Sequence, residues 1–97
     1  MWVRIARFEG AQAGDEPIEE VRERMKAGMK QADGPPIKRA LMLVDRENGR
    51  GANVMFCETE DDLRKVDEWM NSMTPHDRGG TRTGVEMYEV AVDSDSL

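Results

Sequence analysis

Ile37-Lys38-Arg39-Ala40-Leu41-Met42-Leu43-Val44-Asp45-Arg46, then Glu47-Asn48-Gly49-Arg50, then Gly51-Ala52-Asn53-Val54-Met55-Phe56-Cys57-Glu58 is the stretch that decides the fold. Residues 37–46 and 51–58 are apolar-rich runs without an internal proline, and each is the length of a strand. Asn-Gly between two such runs is the strongest short hairpin signal, because both residues tolerate positive φ. With Asn48-Gly49 as a two-residue turn, Asp45 faces Ala52, Leu43 faces Val54 and Leu41 faces Phe56. On the other side of the ribbon Val44 meets Asn53, Met42 meets Met55 and Ala40 meets Cys57.

Outward from the hairpin, Thr59 and Asp62 resemble a capping box, which predicts a helix starting near Glu60. Leu63, Val66, Met70 and Met73 form its apolar stripe, and Pro75 ends it. The polar, Gly-rich residues 74–83 read as a loop and residues 84–92 (GVEMYEVAV) as the last strand. Toward the N-terminus, Asp33-Gly34-Pro35-Pro36 stops an earlier helix. Its stripe is Ile18, Val21, Met25, Met29 and Ala32; Asp15 or Glu16 caps it and Pro17 lies in its first turn. Residues 2–8 (WVRIARF) form the first strand. The order β-α-β-β-α-β is the split βαβ pattern of an α+β, ferredoxin-like domain. Right-handed crossovers put two helices on one face of a four-stranded antiparallel sheet. Residues 1–92 make a single domain and 93–97 a frayed tail.

The chain has 97 residues, 20 acidic against 14 basic, a formal charge of −6, and 38% hydrophobic residues. That suffices for one modest core and argues against disorder. An acidic chain without a basic cluster is a poor ligand for nucleic acid or an anionic membrane. No apolar run reaches the length of a membrane span. The opening residues lack a signal-peptide pattern and Cys57 is the only cysteine, so a reducing cytoplasmic setting is expected.

The sheet has too little polarity to leave one face wet. Leu41, Leu43, Val54, Phe56, Val3 and Ile5 suit the face beneath the helices. The opposite face then carries Trp2, Arg4, Ala6, Phe8, Ala40, Met42, Val44, Asn53, Met55 and Cys57, still largely apolar. An exposed patch of that kind marks an interface or ligand site, and a two-fold homodimer with sheets packed face to face covers it. Arg4 and Asn53 are then polar groups in an apolar cavity lined by Trp2, Ala6, Phe8, Met42, Val44, Met55 and Cys57, suited to a small hydrophobic or aromatic ligand.

Four stretches resemble the antibiotic biosynthesis monooxygenase-like family of the dimeric α/β-barrel superfamily. They are Met1 to Gly10, Leu43 to Arg50 through the turn, Glu58 to Leu63 at the second helix, and Val85 to Val90 near the end. The resemblance implies a homodimeric barrel. It also implies a cofactor-independent monooxygenase acting on a small aromatic or polyketide-like molecule, in which the substrate carbanion reduces oxygen. The same fold hosts non-enzymatic or stress-associated small-molecule-binding dimers and, third, haem-degrading monooxygenases. The first strand here has no Asn, His76 falls beyond Pro75, and Cys57 stands where the third strand of this group often ends in an aromatic.

Arg4, Asn53, Tyr88 and His76 are the candidate catalytic residues. Arg4 either holds an anionic substrate or pairs with Glu86 or Glu89 across the dimer. Asn53 either lines the cavity or marks the start of its strand. Tyr88 either donates to substrate or packs at the dimer edge. His76, the only histidine, is either a general base or a solvated loop residue. Trp69 flanks the core or closes the cavity. Cys57 reads as a small buried hydrophobe, its thiol pushed up by Glu58. One His and one Cys do not make a zinc set, the acidic cluster from Glu58 to Asp62 lacks calcium-loop spacing, and Gly79-Gly80 is no phosphate loop. Neither metal nor cofactor is called for.

Overall fold

A computed structural model of the chain describes residues 1–10, 18–30, 36–72 and 81–97. Strands β1 (Trp2–Glu9), β2 (Arg39–Asp45), β3 (Arg50–Cys57) and β4 (Thr81–Glu89) alternate with helices α1 (Ile18–Lys30) and α2 (Glu60–Ser72) as β-α-β-β-α-β. The strands form one antiparallel sheet in the order β2-β3-β1-β4. This small α+β architecture is compatible with a ferredoxin-like fold. The expected cap and stop of the first helix, together with Met73, Pro75, His76 and Gly79-Gly80, lie outside the described residues. No described helix is long and apolar enough to cross a membrane.

The hairpin register differs from the expectation by two residues: Asp45 pairs with Arg50, Leu43 with Ala52, Leu41 with Val54 and Ala40 with Met55. A two-residue turn needs positive φ at both Asn48 and Gly49, and only Gly49 has it, at 62°. Residues 46–49 therefore form a four-residue turn. The Asp45 carboxylate holds it, accepting from the Asn48 backbone N–H at 3.2 Å, Asn48 Nδ2 at 2.9 Å and Arg50 Nε at 2.9 Å. These bonds keep the carboxyl below its usual pKa, the Asn48 side chain contributing most. A slip of two leaves every side chain on its original face of the ribbon.

The last strand begins earlier than expected. Thr81 and Arg82, read as loop, pair with β1, and the strand ends at Glu89. A bulge lets Arg7 face Gly84 and Phe8 face Arg82, leaving Thr83 over. Thr83 Oγ1 donates to the Arg7 carbonyl at 3.4 Å. Beyond β4, Val90 N–H donates to the Met1 carbonyl, and Ser94–Ser96 close a single exposed 3₁₀ turn capped by the Asp93 carboxylate.

α2 begins as its capping signal predicts. Thr59 Oγ1 accepts from the Asp62 N–H at 3.1 Å, and Glu60, Asp61 and Asp62 place negative charge in the first turn. Only Glu58 and Thr59 separate β3 from α2, so the helix folds back over the side of the sheet that Cys57 faces. Leu63, Val66 and Cys57 are at most 1% exposed and form the core, with Trp2, Ile37, Met55 and Met70 packed around them.

This reverses the expected assignment of faces. Trp2, Arg4, Ala6, Phe8, Met42, Val44, Asn53, Met55 and Cys57 share the face covered by α2, not the uncovered one. Both faces are apolar, so bulk alone does not distinguish them. The two-residue β3–α2 connection does.

Candidate functional site

Cross-strand partners share a face, so the register arranges each face in rows. On the covered face one row runs Ala40, Met55, Arg4, Met87, and the next runs Met42, Asn53, Ala6, Val85. Arg4 thus sits mid-sheet among methionines and is 1% exposed. Its Nε donates to Asp67 Oδ1 at 2.9 Å. Glu86, expected to reach it only across the dimer, lies within the chain on the opposite face and pairs with Arg7. Nη1 and Nη2 of Arg4 are buried without a hydrogen-bond partner among the described residues. A buried ion pair needs its remaining donors satisfied to offset desolvation, so this one is incomplete by itself.

On the uncovered face three rows cross the sheet: Arg39, Phe56, Val3, Tyr88; then Leu41, Val54, Ile5, Glu86; then Leu43, Ala52, Arg7, Gly84. Leu43 is 49% and Tyr88 50% exposed. The Arg39 guanidinium lies over the Phe56 ring, 5.8 Å from its centroid. Arg7 Nε donates to Glu86 Oε1 at 2.6 Å and the Tyr88 hydroxyl donates to Glu86 Oε2. Arg7, Glu86 and Tyr88 thus form a linked polar cluster on this face.

The hydrogen bond to Glu86, and then its charge, push the Tyr88 phenol above its ordinary value. Arg7 first and Tyr88 second hold the Glu86 carboxyl below its own. The Tyr88 contribution is present below the unfolded phenol pKa and is lost as pH rises through the folded one. The Glu86 contribution is present above the unfolded carboxyl pKa and is lost as pH falls through the folded one. Tyr88 is the only tyrosine, so phenolate absorbance reports it alone. It is expected to titrate above about 10, and Glu86→Gln to lower the midpoint. An unchanged midpoint in Glu86→Gln would contradict the cluster.

The candidate residues do not converge. Arg4 and Asn53 face α2, Tyr88 faces away from it, and His76 lies outside the described residues. Cys57 is fully buried, and burial first and Asp62 second, not the expected Glu58, push its thiol up, as befits an inert core cysteine. Trp69 is half-buried on α2. Among the described residues no His, Cys, Asp and Glu side chains gather as a metal set. An open concavity at one end of the sheet, lined by Glu9, Gly10, Asn48, Gly49 and Arg50, includes none of the candidates.

Asp67, Arg7 and Glu86 were not among the expected site residues. Asp67 had a signal: it stands four residues after Leu63, so it shares the inner stripe of α2 and needs a cationic partner there. Arg7 and Glu86 had none, because only the β1–β4 register makes them neighbours. The chain matches no protein-family model and no curated protein.

Proposed function

We propose that this chain works as a two-fold homodimer of the antibiotic biosynthesis monooxygenase-like kind that binds a small, largely apolar organic molecule. The uncovered sheet face carries the reading. Val3, Ile5, Leu41, Leu43, Ala52, Val54 and Phe56 share the face opposite the α2 core; Leu43 is exposed, Val54 is buried and the others are half-buried. A monomer that leaves such a surface in water is prone to association, and a second copy brings an identical, self-complementary face. Stacked sheets with strands nearly aligned put about 10 Å between backbones, which the Leu, Val, Ile and Phe side chains fill. Arg7, Glu86 and Tyr88 then form a polar strip beside that apolar contact.

The binding reading is preferred to the four-residue catalytic one because Arg4 and Tyr88 lie on opposite faces of one sheet. Cofactor-free oxygenation has one specific support. The unused Arg4 nitrogens are donors of the type that stabilises an enolate or phenolate oxygen in a dry site. The lone, buried Cys57 suits a cytoplasmic setting.

Sedimentation velocity on the full chain at micromolar concentration tests the assembly. The expected result is a single species of twice the 11.0 kDa chain mass. A monomer at that concentration would overturn the proposal.

A further inference from the structure

The Arg4 guanidinium offers more donors than the chain uses. An arginine carries five N–H groups, and here Nε alone is engaged, by Asp67. The other two nitrogens form the open end of the planar fork, and both are buried without a partner among the described residues. Their cross-strand neighbours are Met55 and Met87, and Trp2 and Ala6 are the nearest same-face residues of β1. A thioether is at best a weak acceptor, and the indole N–H is donor only. Met87 is 46% exposed, so the covered face is open to solvent on the β4 side, one residue across from Arg4.

From this we infer that Arg4 is the anchor of a ligand site inside each protomer, taking the carboxylate of a small aromatic acid. Two parallel N–H groups of a guanidinium end match the two oxygens of one carboxylate. The methionines and Trp2 supply adaptable apolar surface for a flat ring. The chain carries a formal charge of −6, which discourages anions everywhere except at a cation that is buried and has donors to spare. Asp67 sets the affinity: it positions the guanidinium through Nε, while its charge opposes the incoming carboxylate. The inference rests on the small-molecule reading above and names its ligand class, but it does not require the dimer.

The probe is benzoate, titrated into the full-length chain while guanidinium N–H resonances are followed by NMR. Saturable shifts of the Arg4 resonances are expected. Arg4→Met should abolish saturable binding, whereas Arg7→Met, on the other face, should bind as the unaltered chain does. Asp67→Asn keeps an acceptor oxygen for Nε but removes the opposing charge, and should tighten binding about fivefold. Linear, non-saturating shifts, or equal binding by Arg4→Met, would overturn the site. If Arg4→Met does not fold, Asp67→Asn decides: affinity that stays unchanged or weakens overturns it. Sedimentation of the same samples separates the two proposals. A monomer that binds benzoate removes the dimer and keeps the site; a dimer that ignores benzoate does the reverse.

Discussion

Leu43→Glu is expected to leave the chain folded and to convert the proposed dimer to a monomer. Leu43 is 49% exposed on the edge strand β2, so the isolated protomer loses little when it changes, within roughly 0.5 kcal/mol. In a two-fold interface the same substitution enters twice. Two carboxylates forced into the contact beside Leu41, Ala52 and Val54 cost about 3 kcal/mol each. Together they weaken association on the order of 10⁴-fold. The control is the next residue along the strand. Val44, 38% exposed, lies on the α2 side of the sheet, so Val44→Glu should leave the dimer intact. Sedimentation velocity with circular dichroism reads both variants. If Val44→Glu separated the copies and Leu43→Glu did not, the opposite face would be the contact surface.

Asp67→Ala carries the second large effect, on stability. It strips the buried Arg4 guanidinium, 1% exposed, of the one acceptor it has among the described residues. Breaking one side of a buried pair costs about 3–5 kcal/mol, a large share of what a domain this size has. Thermal unfolding should move down by about 15–25 °C. Replacing both partners, Arg4→Met with Asp67→Leu, should recover most of that loss, because apolar side chains of similar volume remove the desolvation cost together with the attraction. A melting temperature for Asp67→Ala within a few degrees of the unaltered chain would mean that water or another group already serves Arg4. It would also remove the reason for treating the pair as an unfinished site.

Local signals carried much of the architecture. Thr59 and Asp62 announce the start of α2, and the structure holds the cap they predict. The hairpin strands are where their apolar runs put them, to within two residues. The misreading of the turn was chemical: Asn48 adopts no positive φ, and Asp45 gathers the residues after it into a longer loop. β4 reaches back to Thr81 because its pairing with β1 supplies hydrogen bonds that a polar, Gly-rich stretch does not advertise. The candidate site was half legible. Arg4 was picked out because a charge stood among apolar residues, and its burial agrees. Its intrachain partner Asp67 was not legible, because strand alternation says which residues share a face and not which helix lies above them.

What the amino-acid order settled alone is periodic. Alternation in the strands, helical spacing in α2 and the breakers between them are properties of neighbours in the chain, so they yield the elements and their sequence. What needed three dimensions was the sidedness of the sheet. Two apolar faces look alike along a strand, and the short β3–α2 link, folding over Cys57, commits one of them to the α2 core. The reason is physical: burial is a relation between distant segments, and periodicity records that a face is apolar without recording what will cover it.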